Sequence, residues 1–416
     1  MARRIELWIL ACALRALPGC AGTVAVDAQP DGGAGGQAPL GCGDGTCAAY
    51  EDQHSCAADC GAVQVSAGET HACALLGDGA ARCWGHNGDG ELGVEESPLP
   101  IAHPVAVSSL RGAAAISAGD NYTCALLADA TVKCWGNNDT GQLGDGSNTS
   151  SHAPVTVAGV SGAVAISAGR FHACAVLSDG TARCWGANDS GQLGDGSTAS
   201  SHGPVVVSNL AGAVSVAAGF AHTCAVLSDG TARCWGASDV ASGPLLGDGT
   251  GVPSSVPVVV SGLTQVAGIS VSGHRSCASR SDGSAWCWGD NGDCLLGADW
   301  GHPQVPVPAG GFTATQTISV GANGMCAMLL DGTVACRGEG LFGGGSTDSL
   351  CGADPAPWTV FGLTGVVSLS ANHAESAYAC ASRADGGVSC WGDNEFSQLG
   401  DGTDIDSTEP VEVLAW

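Results

Sequence analysis

A chain of 416 residues with 66 Gly, 11 Trp and 44% hydrophobic residues is longer than one core needs, so a folded, turn-rich repeat array or several domains is expected. The formal charge of −27, carried by 40 acidic against 13 basic side chains with Lys133 the only lysine, excludes nucleic acid and anionic lipid headgroups as sensible partners. Twenty-two cysteines exclude a reducing cytosol unless they bind metal.

The first twenty residues, MARRIELWILACALRALPGC, read as an export signal, with a basic start at Arg3 and Arg4 followed by an apolar stretch. Leu17-Pro18-Gly19-Cys20 is similar to a bacterial lipobox, which makes Cys20 the expected lipidated N-terminus and a lipid anchor the expected route to the membrane. Pro18 departs from that pattern. Residues 21–41 are dominated by Gly, Ala and Pro and read as a flexible tether. Residues 42–61 hold Cys42, Cys47, Cys56 and Cys60, which suit either zinc or two disulfides. Only the Cys56–Cys60 gap is as short as zinc ligand pairs prefer, so disulfides in a small stalk module are the expectation.

From residue 62 to 416 one unit recurs seven times, with first cysteines at 73, 124, 174, 224, 277, 326 and 380. A period near fifty residues indicates propeller blades. Each copy offers an alternating AVAISAG-type run and a CAVL-SDG-TARCW hairpin whose Asp-Gly suits the turn. A strand opened by Pro104, Pro154, Pro204, Pro257, Pro306, Pro357 or Pro410 suits an outer edge. Four strands per unit predict an all-β, seven-bladed β-propeller. One proline-led strand is left after the last copy, so the strand near Val411–Val413 is expected to complete the blade begun at Ala62 and close the ring.

Gly-Gln-Leu-Gly after Cys-Trp-Gly, with Ala-Gly-x-x-His upstream, resembles the regulator-of-chromosome-condensation repeat over about 355 residues. Departures are Arg337 in place of Trp, and Tyr122, Arg275, Gly324 and Tyr378 where His71, His172 and His222 stand. A nuclear member of that family exchanges guanine nucleotide on a small GTPase. The export signal and the missing basic tail argue against that role here. The resemblance also extends to a secreted bacterial β-lactamase inhibitory protein, a seven-bladed ring that binds its target through loops on one face, which implies binding rather than turnover.

Two cysteines ten residues apart flank each hairpin turn: Cys73/Cys83, Cys124/Cys134, Cys174/Cys184, Cys224/Cys234, Cys277/Cys287, Cys326/Cys336 and Cys380/Cys390. An even separation across a turn sets them opposite each other within disulfide reach, predicting one bond per blade. Cys294 and Cys351 remain as a possible further pair.

The recurring Trp84, Trp135, Trp185, Trp235, Trp288 and Trp391, and the three histidines, are expected to pack between blades. Asp139, Asp145, Asp189, Asp195, Asp248 and Asp401 recur beside glycines and read as Asx-turns before calcium ligands. No catalytic motif is present, so no cofactor is expected. The function expected is an exported, surface-anchored monomeric scaffold recognising a protein or glycan through propeller loops; the alternative is a secreted enzyme or inhibitor with its site at the central channel. Function should break the repeat, which points to blades five to seven and to Trp286, Trp300, His302, Phe342 and Trp358.

Overall fold

The computed structural model describes residues 56–415 apart from 96, 98, 239–243, 292–294, 297–300, 322, 339–355 and 373–376. After a single helical turn, Ala57–Cys60, the strands β1 (Ala62–Ala67), β2 (His71–Leu76), β3 (Ala81–Gly85) and β4 (Ile101–Ala106) pair antiparallel in chain order. The same four-stranded meander recurs over 113–156, 163–206, 213–259, 266–308, 315–359 and 366–412, making seven blades. The inner strands ring a central channel and the proline-bearing strands form the rim.

The second strand of each blade is covered on both flanks by its neighbours. β2 is accordingly buried at all six positions, without the alternation of a sheet that has one wet face. The hairpin that follows is fixed locally. Asp179 Oδ1 accepts the Thr181 N–H at 2.9 Å, and Gly180 supplies the positive φ of 79°.

Each hairpin places its two cysteines in direct register, and the expected bond is present in every blade. Cys73–Cys83, Cys124–Cys134 and Cys326–Cys336 have Cα–Cα distances of 4.0 Å. Cys174–Cys184, Cys224–Cys234, Cys277–Cys287 and Cys380–Cys390 have 4.1 Å. These separations are closer than the roughly 4.5 Å of an unbridged facing pair, so the bond draws the second and third strands together. All fourteen cysteines are buried, and disulfides in this number suit an oxidising compartment. Cys56 and Cys60 are also disulfide-bonded. Cys20, Cys42, Cys47, Cys294 and Cys351 lie outside the described residues. Among the described residues no helix is long and apolar enough to cross a membrane.

The expected closure by strand exchange is corrected by the topology. The terminal strand β28 (Ser407–Glu412) pairs with β27 (Val388–Gly392) of its own blade, and β1 pairs only with β2. Each copy ends with its proline-led strand, so none is left over. A third strand joins the strand that follows it through the next loop, an entropic saving of roughly 2–3 kcal/mol over joining one at the other end of the chain. The seam between blades seven and one is instead an ordinary blade-to-blade interface. Ala67 N–H donates to Ser370 Oγ at 3.0 Å, Trp84 Nε1 to the Gln398 carbonyl at 2.8 Å, and Tyr378 Oη to the His71 carbonyl at 2.6 Å. Trp84, Leu76, Tyr378, Val388, Leu399 and Val413 form one core across it.

Irregularity is concentrated in blades five and six, whose outer strands shrink to Val307–Pro308 and Trp358–Thr359. Blade seven has a full six-residue outer strand.

Candidate functional site

The recurrent residues are taken up by packing. Trp135, Trp185, Trp235 and Trp288 are fully buried, and each indole donates to a carbonyl of the preceding blade: Glu91, Gln142, Gln192 and Leu245 respectively, at 2.8–2.9 Å. Arg337 does the same with a different side chain. Its guanidinium reaches the Leu295 carbonyl at 3.3 Å and lies over Phe312. His71, His172 and His222 are buried and bond through Nε2 to Thr123, Thr223 and Ser276 of the next blade at 2.8–2.9 Å. Burial lowers their pKa to about 4, 3 and 3, so the imidazoles are neutral. Tyr122 and Tyr378 fill the histidine position by donating to backbone carbonyls across the same seam.

Asp145, Asp195, Asp248 and Asp401 each accept the backbone N–H two residues on, at 2.9–3.0 Å, which is Asx-turn geometry. The cavity between the inner strands is walled by residues such as Ser167, Val216, Ile269, Ser270, Ile318 and Leu369, with no titratable side chain in its lining.

The repeat varies at one end of the ring, where first strands turn into second strands and third into fourth. The first-to-second turn has a two-residue tip closed by a backbone bond, as in Gly169 N–H to the His172 carbonyl at 2.9 Å. The turns also join one another. Arg170 N–H donates to the Gly219 carbonyl at 3.0 Å, and a Cβ on Gly169 would stand 2.4 Å from that same oxygen. Glu69 N–H meets the Gly119 carbonyl in the same way at 3.3 Å, so in the collar of tips around the channel mouth blade one is bonded to two and blade three to four.

Successive tips carry Glu69-Thr70, Asp120-Asn121, Arg170-Phe171, Phe220-Ala221 and Gly273-His274. Four of these side chains form a cluster. The Arg170 guanidinium lies 4.2 Å from the Phe220 ring centroid and 5.1 Å from that of Phe171. Phe171 and Phe220 meet edge to face at 6.1 Å, and His274 continues the row 6.1 Å beyond Phe220. Arg170 Nε is 2.8 Å from Asp120 Oδ2, an ion-pair distance although the N–H is not aimed at the oxygen. The two phenylalanines are half-buried and His274 is exposed.

The side chains singled out from the sequence are not gathered in this way. Trp286 is half-buried near the hairpin end of its strand, Nε1 donating to Ser284 Oγ at 3.1 Å, and packs on the core between blades four and five. Trp358 is half-buried on the rim of blade six. His302 is exposed on the loop side, its Nδ1 2.9 Å from Asp290 Oδ1. Trp300 and Phe342 lie outside the described residues. The Arg170 cluster was missed because Arg170, Phe171 and Phe220 sit inside the regular blades three and four. The signal was present in the two varying positions between Ala-Gly (Val-Ser in blade five) and the residue that opens the second strand.

Residues 62–91, 113–142, 163–192 and 213–240 match a family described as the regulator of chromosome condensation (RCC1) repeat, as do 78–126, 130–176 and 179–226. Residues 62–240 are therefore built of regulator-of-chromosome-condensation repeats. The matched segments end in blade four, ahead of the shortened outer strands. The human probable E3 ubiquitin-protein ligase HERC3 is 40% identical over 84 residues, covering 20% of this chain and 8% of HERC3. Fission yeast pim1 is 35% identical over 88 residues, covering 20% of this chain and 16% of pim1. The alignments thus span under a fifth of these relatives. Human WBSCR16 superposes with a TM-score of 0.69 at 23% identity over 80% of this chain and 94% of its own. Yeast RCC1 (Prp20), solved bound to Kap60, gives 0.66 at 20% over 80% and 83%. The ectodomain of the Arabidopsis receptor kinase ACR4 gives 0.50 at 20% over 84% and 98%. At these identities the structures share the propeller fold alone.

Proposed function

We propose that this chain is an exported, lipid-anchored binding scaffold that captures a protein partner on the loop end of its ring, with Arg170, Phe171, Phe220 and His274 as the anchor. The observation that carries the reading is a partly exposed cation–aromatic cluster whose Arg170 and Phe220 turns are bonded to each other. Interface hot spots favour an aromatic or Arg side chain on a pre-organised surface, because little conformational freedom is lost on docking.

Export rests on the Arg3–Cys20 signal and on seven buried disulfides. Cys20 and the 21–41 tether would hold the ring off a membrane whose anionic headgroups the acidic surface repels. We read the ring as non-catalytic, the channel lining offering no acid, base or activated nucleophile. Two likenesses support binding: yeast Prp20 was solved with Kap60, and an ACR4 ectodomain shares the fold.

The test is quantitative capture from native envelope extract by the wild-type chain, an Arg170→Ala/Phe220→Ala double variant and Trp286→Ala. A specific partner should be lost from the double variant and kept by Trp286→Ala. Retention of the partner by the double variant would refute the assignment.

A further inference from the structure

On the same end of the ring, blade seven differs from blade two at four places that meet in one notch against blade one. Blade two has Asn137, Asp139, Thr140 and Ser150 where blade seven has Asp393, Glu395, Phe396 and Asp406. The fold keeps its use of these positions: Asn394 N–H donates to Asp406 Oδ1 at 2.7 Å as Asn138 N–H does to Ser150 Oγ at 3.1 Å. The replacements therefore change the chemistry of the notch and leave the loop frame intact.

Asp393, Glu395 and Asp406 line this cavity with Phe396 and His86, whose rings meet edge to face at 5.7 Å. Among the described residues no Arg or Lys pairs with these three carboxylates. His86 is already matched by Glu91, 2.5 Å from its Nδ1, and adds no net charge when protonated. Burial, with Asp406 and Glu395 adjacent, raises the Asp393 carboxyl above its ordinary value.

A second observation is independent of charge. Gln398 lines the notch, is fully buried, and its Nε2 has no hydrogen-bond partner. In blade two the equivalent Gln142 Nε2 donates to Asn137 Oδ1 at 2.6 Å. In blade seven Asp393 turns Oδ2 to the Ala377 N–H at 2.5 Å and leaves the amide unanswered. An unpaired buried donor is costly, so a ligand that brings an acceptor gains by filling it.

We propose that the notch between blades seven and one binds a guanidinium group, the side chain of an arginine presented by the partner protein. The planar cation has carboxylates to meet in fork geometry and a phenylalanine ring to lie against, while a carbonyl of the same peptide accepts from Gln398. That the arginine belongs to a partner rests on the docking function proposed above; recognition of a guanidinium does not.

The test uses the full exported chain and the probe Nα-acetyl-arginine N-methylamide, followed by the backbone amide NMR shifts of Ala377 and Phe396. Saturable shifts are expected, weakened about tenfold by Asp393→Asn/Asp406→Ser, which restores residues other blades use. They should be unchanged by Asp179→Asn/Asp229→Asn, which removes two carboxylates at the hairpin end. Equal binding by Asp393→Asn/Asp406→Ser, equal shifts with Nα-acetyl-glycine N-methylamide, or a response to calcium chloride alone would overturn the proposal. Because the probe needs no partner, this outcome is separable from that of the capture experiment.

Discussion

Trp235 shows what a recurrent residue does. Its indole is completely buried and its Nε1 is bonded at 2.8 Å to the Gln192 carbonyl of the preceding blade. Trp235→Ala should cost about 3–5 kcal/mol, combining an emptied cavity with an orphaned carbonyl, and denaturant unfolding measures it. The glycine after each tryptophan is equally constrained. Gly186 has φ 106°, and a Cβ there would stand 2.4 Å from the Phe171 carbonyl, directly beneath the candidate anchor. The buried histidines set a pH dependence. With folded pKa values of about 4, 3 and 3 against 6.5 unfolded, the unfolded chain binds protons that the folded chain refuses. Their contribution is complete above pH 6.5 and is lost as pH falls through 6.5 towards 3. The Tm should therefore fall from about pH 7 to about pH 4, and less steeply in His172→Gln. An identical slope in that variant would contradict the assignment.

The blade is the element, and its strands and staples were legible in the sequence. The Asp-Gly turn fixes hairpin register, register sets Cys224 opposite Cys234, and the ten-residue spacing already contained that relation. Replacing both by Ala should cost about 3 kcal/mol, the value expected when a short loop is no longer closed in the unfolded chain. What the sequence did not carry was phase. A proline-led strand between two copies belongs to either, and only the pairing of Cys390 with Val411 shows that it ends its own blade. Trp286 stood out by its size, yet it sits at the opposite end of its strand from the loop-side collar and packs on a blade interface. The two-residue tips carry no periodicity, so their grouping depended on the collar bonds that join turn to turn.

At the scale of the whole molecule, ring closure and function are linked. Closure without strand exchange makes the seam between blades seven and one another packed interface, with Tyr378 and Trp84 as its pins. Tyr378→Phe removes one hydroxyl that meets both the Gly68 and His71 carbonyls, and thermal unfolding should show a loss of about 1–3 kcal/mol. The ring then presents two unlike features on one end: an Arg–Phe cluster on blades three to five and an acidic notch at blades seven and one. A surface otherwise set by a net charge of −27 has its single cation–aromatic cluster among the described collar tips there. The most direct measurement is hydrogen exchange of the chain alone and with its captured partner. Protection of residues 169–173, 219–222 and 273–275 on binding is predicted. Protection confined to the hairpin end or the rim around Trp286 and Trp358 would contradict the account.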